Sequence, residues 1–354
     1  MHYFCSTIIE QSVKKANIIE VSAESRVCVG AVDELLGCLL PERRTIVIAD
    51  ANIDRLHHSL LAPYEHILIG TGESVKTLHT VQQLYRRFIE TEVDRSCFVL
   101  GIGGGIVTDI AGFAASTYMR GLEFGFVSTT LLGQVDASVG GKNGVNVDGF
   151  KNMAGTFTQP KFVICDTELL RTLPDREFRA GLAEIIKAAI IADAGLFGLL
   201  ERSSFGELRR DGVLLGDIVT TAVGIKADIV RRDEREKGER RKLNLGHTLA
   251  HAIEKCSREM NHGEAVAAGI AMISGVAERI GLLSASDRGR IEALLGRYGF
   301  SLTPPVSLRR MMNAVFKDKK MSGEYLNLVL PTAIGRCEVR PIPRSEISGF
   351  LSSN

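Results

Sequence analysis

Charge of one sign, paired cysteines and long apolar runs are all missing from this sequence. Lys and Arg total 43 against 42 Asp and Glu, so the balance points to neither nucleic acid nor an anionic membrane as partner. The seven cysteines are scattered and odd in number, with no Cys-x-x-Cys, which suggests neither a disulfide framework nor a zinc–thiolate site. The longest apolar stretches, such as Ala265 to Ala277, have the length of a buried helix and fall short of a bilayer span. The opening MHYFCSTIIEQSVKK lacks the basic-then-apolar order of a secretory signal. No internal repeat or low-complexity tract is visible. These absences predict a soluble, cytoplasmic protein of a reducing compartment, and 354 residues leave room for two domains with separate cores.

What is present divides near Pro174. Before it, short β-branched runs (Arg44 to Ala49, His66 to Ile69, Cys97 to Leu100, Phe124 to Val127, Phe162 to Cys165) alternate with helical patterns such as Ser74 to Arg87. That alternation predicts a parallel sheet covered on both faces, a Rossmann-like nucleotide-binding domain over residues 1–172. After it the pattern is mainly helical: Arg176 to Glu201, Val213 to Arg232, Leu243 to Lys255, Glu264 to Ile280 and Ser286 to Tyr298. Pro174-Asp175 is a good helix opening, and residues 173–354 form the predicted α-helical domain. Tyr325 to Leu330, followed by Pro331, reads as a strand within it.

Three strand ends in the first half suit a nucleotide. Gly101-Ile102-Gly103-Gly104-Gly105 leads from a strand into a helix predicted from Ile106 to Met119, where backbone N–H groups and the helix dipole favour a pyrophosphate. Ile106 stands where the dinucleotide fingerprint wants its last glycine, and a tight turn with no ligand is the competing reading. Thr71-Gly72-Glu73-Ser74 opens another helix, and Asp50 ends a strand where it can accept ribose hydroxyls.

In the second half, Glu184, His247 and His262 each offer one metal ligand on a segment that reads as helix. Three ligands leave coordination positions open for substrate, the mark of a catalytic divalent ion. Glu184 and Lys187 share a helix face, as do His247 and His251, and a carboxylate among Ile185, Ile186, Ala188 and Ala189 needs a cation or hydrogen bonds to stay charged. Taken singly, the His247 and His251 pair also reads as two helix-surface histidines, and His262 as a neighbour of a helix N-cap. The run from Arg231 to Arg241 is mixed in sign and reads mostly as solvated surface. Lys142, after Gly140-Gly141, and Lys151-Asn152, in what reads as a polar loop, suit a phosphate or polyhydroxylated anion, and Lys226 is a further candidate. His57, His58 and His79 have no evident partners.

The ordered strings GGGIVTDIAGFAASTYMRG, STTLLGQVDASVGGKNGVN, KNMAGTFTQPK, TLPDREFRAGLAEIIK, DEREKGERRKLNLGHTLAHAIE, HGEAVAAG and DKK…LVLPTAIGRCEVR are far more specific than any short motif. Through them the chain resembles the 3-dehydroquinate synthase family of sugar-phosphate cyclases over nearly its whole length. The resemblance implies a homodimer with an NAD-binding α/β domain and an α-helical domain. It also implies conversion of 3-deoxy-D-arabino-heptulosonate 7-phosphate to 3-dehydroquinate and phosphate, a lyase reaction of the shikimate route to chorismate and aromatic amino acids. Its steps would be transient oxidation by NAD, phosphate elimination, re-reduction and intramolecular aldol closure, with Zn2+ or Co2+ polarising a substrate hydroxyl.

By position, Glu184, His247 and His262 match the family's metal ligands. Asp136, Lys142, Asn152, Lys187, Lys226, Arg240, Asn244, His251 and one of Lys319 and Lys320 match substrate-contacting and catalytic positions, and Arg120 a residue that reaches the phosphate across the dimer. Asp50, Thr71, Gly72, Glu73, Ser74, Val75, Lys76, Gly105, Ile106, Val107, Thr108, Asp109, Thr129, Thr130, Lys142, Lys151, Leu169, Leu170, Arg171 and Thr172 match NAD contacts. Two departures stand out. Asn143 occupies a position where threonine is commoner, and the approach from Ile253 to His262 is short.

Rival readings are a cyclase making an aminocyclitol or valiolone precursor, a metal-dependent glycerol or alcohol dehydrogenase, and a catalytically silent NAD-binding subunit. Lys226, Arg240, Asn244 and His251 together favour a carboxylate-bearing substrate over the first. Release of NADH would mark the second, and loss of the metal the third.

Overall fold

The computed structural model describes residues 16–316 and 324–352. They form two compact units, one running to Pro174 and adding Leu215–Ala227, the other comprising Asp175–Leu214 and Asp228 onward.

The first unit is built on a seven-stranded sheet. Its strands are β1 (Asn17–Ser22), β2 (Ser25–Val29), β3 (Thr45–Asp50), β4 (Glu65–Ile69), β5 (Phe98–Gly103), β6 (Glu123–Ser128) and β9 (Phe162–Cys165), in the order β1-β2-β9-β6-β5-β3-β4. Only β1 runs antiparallel to its neighbour. Every residue of β5 is buried, and Val47, Leu100, Val127 and Ile164 are wholly shielded from solvent, as expected for a parallel sheet covered on both faces. The expected α/β nucleotide-binding fold is therefore borne out. From β3 the chain steps to β4 on one side, then returns to β5 on the other. The ends of β3 and β5 thus flank the crevice where nucleotides bind in such sheets.

The helix expected from Ser74 starts later. A 3-10 turn, Glu73–Val75, precedes a helix at Leu78–Glu90, and Thr77 caps it by accepting from the Thr80 N–H. Lys151-Asn152, expected in a polar loop, lies instead on a hairpin of β7 (Lys142–Val147) and β8 (Phe150–Phe157). The signal was present: Asp148-Gly149 is the dipeptide that a two-residue hairpin turn demands, and both residues have positive φ, 49° and 78°.

The second unit is mainly helical, as predicted. Helices Asp175–Ala192, His247–Cys256 and His262–Arg279, here called the carboxylate, first-histidine and second-histidine helices, carry the proposed ligands. The helix expected over Arg176 to Glu201 breaks at Asp193, which turns extended and caps the next helix through the Leu196 N–H. The first-histidine helix begins at His247 because Gly246 is left-handed, φ 76°. Tyr325–Ala333 pairs with Arg336–Pro343 as a hairpin.

Small residues let these helices approach closely. A Cβ on Gly263 would lie 2.3 Å from the Ala180 Cα, and one on Gly269 would lie 2.3 Å from the Gly246 carbonyl oxygen. Both obstacles are backbone, so neither can swing aside. Gly263→Ala should cost about 1–3 kcal/mol of stability through overpacking. Gly289→Ala, on an exposed helix position with nothing within 4 Å of the added methyl, should instead gain roughly 0.5–1 kcal/mol. Urea unfolding of the two variants checks the contrast; equal effects would remove the close-packing argument.

Candidate metal centre and flanking charged groups

Glu184 lies in the middle of the carboxylate helix, 3% exposed. Neither carboxylate oxygen has a well-formed hydrogen bond, yet cations and imidazoles crowd it. Lys187 Nζ, one turn on, pairs with Oε2. His247 Nε2 and His262 Nε2 stand 3.5 and 3.4 Å from Oε1. These separations are long for hydrogen bonds but right for ligands sharing an ion, since two atoms about 2.1 Å from one tetrahedral metal lie roughly 3.4 Å apart. One ligand atom from each of Glu184, His247 and His262 falls within 4.8 Å of the others, a group that can hold a metal ion.

The electrostatics fit the same use. Burial pushes the Glu184 carboxyl up, but Lys187, then His247 and His262, outweigh it and hold the group well below the usual carboxylate range. Burial, then Lys187, pushes His247 down to about 3, so its imidazole is neutral, the state a metal ligand needs. Burial also works against protonation of His262, but Glu184 and Glu254 outweigh it and raise the group to about 10. A divalent ion at this group would compete with that proton, since an imidazole ligates through an unprotonated nitrogen.

The short approach to His262 is tightly ordered. Asn261 caps the second-histidine helix in a reciprocal capping box with Glu264. Arg176 forks onto Glu264 at 2.8 and 2.6 Å and also donates to the Glu259 carbonyl at 2.6 Å. Glu264 is thereby committed to the cap.

The remaining charged positions of this unit lie on or beside the loop before His247. Arg240 is buried; its Nη1 donates to the Glu234 carbonyl and its backbone N–H to Asp233 Oδ2 at 3.0 Å. Asp233 also accepts from the backbone of Lys237 at 2.9 Å and Gly238 at 2.7 Å. Asn244 donates to Glu236 Oε1, and exposed His251 sits edge-on to His247, ring centroids 5.7 Å apart. Sequence reasoning missed Asp233 and Glu254. Glu254 was findable, being seven residues beyond His247 and so on the same helix face.

In the first unit, Gly104 starts its helix (Gly105–Thr117) with no side-chain cap, so the first N–H groups are open to an anion. The glycines also have an internal reason: added Cβ atoms at Gly103, Gly104 and Gly105 would meet Val107, Thr130 and Ala137 at 2.5, 2.8 and 2.8 Å. Thr108 is buried within that helix, and Ile106 and Val107 fill its first turn. Thr129 donates its N–H to Gly103 at 3.0 Å.

Asp50 caps the helix after β3, accepting from Asn52 and Ile53. Thr71, Gly72 and Ser74 are exposed in the turn after β4, and Val75 ends it. Glu73 accepts from Asn146 at 2.7 Å. Buried Lys76 pairs with Asp109, whose carboxyl burial pushes up to about 6. Leu169, Leu170, Arg171 and Thr172 lie in a 3-10 turn, where Thr172 meets His57 Nε2 at 2.9 Å.

Asp136 occupies a π-turn, Gly133–Ala137, and binds Lys226 Nζ at 2.6 Å through both its carbonyl and its carboxylate. Lys142 opens β7, exposed, and Lys151 and Asn152 are exposed on β8, with Asn152 at φ 53°. Arg120 (φ 70°) is exposed between Met119 (φ 48°) and Gly121 (φ 121°). Lys319 and Lys320 lie outside the described residues.

His262 and Glu264 make distinct predictions. His262→Ala should lower divalent-metal affinity on the order of 100-fold or more, since a direct ligand is lost. Glu264→Gln should retain the metal, because Glu264 serves the cap. Equilibrium dialysis with Zn2+ separates them; metal loss from Glu264→Gln alone would make Glu264 the ligand.

Comparison with known proteins agrees with these observations. The 3-dehydroquinate synthase N-terminal family matches residues 66–180 and the 3-dehydroquinate synthase C-terminal family residues 181–321. The chain is 42% identical to the 3-dehydroquinate synthase of Microcystis aeruginosa (strain NIES-843) over 294 residues, covering 81% of this chain and 80% of the relative. For that of Halorhodospira halophila (strain DSM 244 / SL1) the identity is 43% over 299 residues, with 82% and 84% covered. Among solved structures, the 2-epi-5-epi-valiolone synthase ValA of Streptomyces hygroscopicus subsp. jinggangensis 5008, with NAD+ and Zn2+ bound, superposes with a TM-score of 0.82 at 30% identity, covering 93% of this chain and 96% of that one. The chain belongs to the 3-dehydroquinate synthase family.

Proposed function

We propose that this chain converts 3-deoxy-D-arabino-heptulosonate 7-phosphate to 3-dehydroquinate and phosphate, as an NAD- and divalent-metal-dependent lyase. The observation that carries this reading is the buried Glu184 carboxylate facing two imidazoles at ligand spacing in a chain of this family. When bound, NAD supplies a reversible hydride acceptor and Zn2+ or Co2+ a Lewis acid at a substrate hydroxyl. NAD belongs to the first unit, at residues 50, 71–76, 105–109, 129–130, 142, 151 and 169–172. The metal belongs to the second unit, through Glu184, His247 and His262.

Each of this chain's own charged groups then has a task. Lys187, buried beside Glu184, offsets the carboxylate and presents an ammonium to an anionic oxygen. Arg240 reads the substrate carboxylate through its guanidinium fork, with Asn244 beside it. Lys142, Asn152, Lys226 and one of Lys319 and Lys320 hold oxyanions, and Arg120 holds the phosphate of the partner protomer's substrate in a homodimer. His251 moves a proton to or from the reacting oxygen, and Asp136 holds Lys226 in place. Among the described residues no helix is long and apolar enough to cross a membrane, and we place the enzyme in the cytoplasm.

Phosphate release from the heptulosonate phosphate should require both NAD and a divalent metal, should stop on chelation, and should leave no NADH. NADH accumulating with simple polyols would instead identify a dehydrogenase. Arg240→Lys should lower kcat/KM about 10- to 100-fold, the effect of losing a charged hydrogen bond of about 1.5–3 kcal/mol, with Zn2+ and NAD binding intact. Full activity in that variant would return Arg240 to the structural charge network and reopen the aminocyclitol or valiolone cyclase reading.

A further inference from the structure

The two imidazoles of the candidate metal centre are arranged alike. Each turns Nε2 toward the same oxygen of Glu184, at 3.5 Å for His247 and 3.4 Å for His262. Each also has an oxygen facing its other nitrogen. For His247 this is the Leu245 carbonyl, 3.1 Å from Nδ1. For His262 it is Glu254 Oε1, 3.5 Å from Nδ1, on a side chain only 9% exposed.

The Asn261 cap and the Arg176 fork fix the backbone from which His262 projects. They leave the rotation of its ring unspecified, whereas a carboxylate facing Nδ1 specifies it. Glu254 rides on the first-histidine helix, seven residues and two turns after His247. The helix that carries one ligand therefore also carries the group facing the other.

We infer that Glu254 is a positioning residue for the metal centre: it accepts the Nδ1–H of His262, fixing the ring orientation and the tautomer whose Nε2 lone pair is directed at the ion. This rests on the reading of Glu184, His247 and His262 as metal ligands. A carboxylate in this place makes the imidazole a stronger ligand than a carbonyl does, so the two histidines are unequal. The site gains a second negative charge outside the ligand set, in addition to the Glu184 carboxylate that Lys187 already offsets.

The test uses full-length protein stripped with a chelator and titrated with Co2+ or Zn2+ alone, without substrate. Glu254→Gln and Glu254→Asp are compared with wild type and with Glu184→Gln. Glu254→Gln should bind Zn2+ about 10- to 100-fold more weakly in chelator competition. Its Co2+ visible absorption should be shifted, and its metal-free protein should unfold at the wild-type temperature. Glu254→Asp, which keeps the charge, should recover part of the affinity. Wild-type affinity and an unshifted Co2+ spectrum in Glu254→Gln, with Glu184→Gln unable to hold metal, would overturn the role of Glu254 and leave the ligand trio standing. Metal-free Glu254→Gln losing as much stability as the loaded protein would also overturn it, making Glu254 a fold residue. Wild-type protein that takes up neither ion would overturn the metal reading itself, and this inference with it.

Discussion

A carboxylate buried in the middle of an apolar helix is the constraint on which the second unit depends. Glu184 sits among Leu182, Ala183, Ile185 and Ile186, all wholly shielded, where an uncompensated charge costs several kcal/mol. Lys187, one turn on in the same helix, supplies the largest part of the compensation, and the rest comes from two further helices that have to come close. Glycine at 263 and at 269 permits that approach; a methyl at either position would push a histidine-bearing helix off its neighbour. The packing and the chemistry are thus one requirement. The same glycines that close the core bring two imidazoles to one oxygen, and Lys187 supplies a fixed positive charge that keeps Glu184 ionised when the ion is absent.

The first unit meets a different demand, the satisfaction of helix-start N–H groups. Asp50 and Thr77 cap their helices with side chains, whereas the helix after the glycine turn has none. An uncapped helix start beside capped neighbours leaves its first N–H groups available to water or to an anion. The neighbouring pair of buried Lys76 and partly buried Asp109 is costly by the same reasoning as Glu184, and burial raises the Asp109 carboxyl to about 6. These polar features lie at or after the carboxyl ends of β3, β4 and β5, around the point where the strand order reverses.

Much of this was legible in the sequence. Parallel strands announced themselves as continuous apolar runs, and the ligand trio as three polar residues embedded in apolar helical text. What was not legible depended on single backbone angles or on distant partners. Lys151-Asn152 reads as polar loop because the glycines and asparagines around it resemble loop composition, although Asp148-Gly149 encodes the turn of a hairpin. The start of the first-histidine helix was placed too early because Leu243 and Asn244 fit the periodicity, while the left-handed Gly246 ends that register. Asp233 could not be distinguished within a mixed-charge run, since its role is to accept three backbone N–H groups from residues four to seven positions on.

Asn143 shows how a departure from a family pattern can be resolved by counting donors. Threonine has a single hydroxyl proton to give, whereas an asparagine amide has two. Here the amide nitrogen donates to the Gly141 carbonyl at 3.1 Å and to the Thr158 carbonyl at 2.9 Å, joining the start of the hairpin to the chain that leaves it. The side chain is buried, and its oxygen fills the space beside Gly112, where a Cβ would come within 2.1 Å of it. Asparagine therefore ties two strand ends where threonine could tie one, and it does so directly behind exposed Lys142. The two bonds brace the backbone on either side of the hairpin's open end, next to the position from which Lys142 projects.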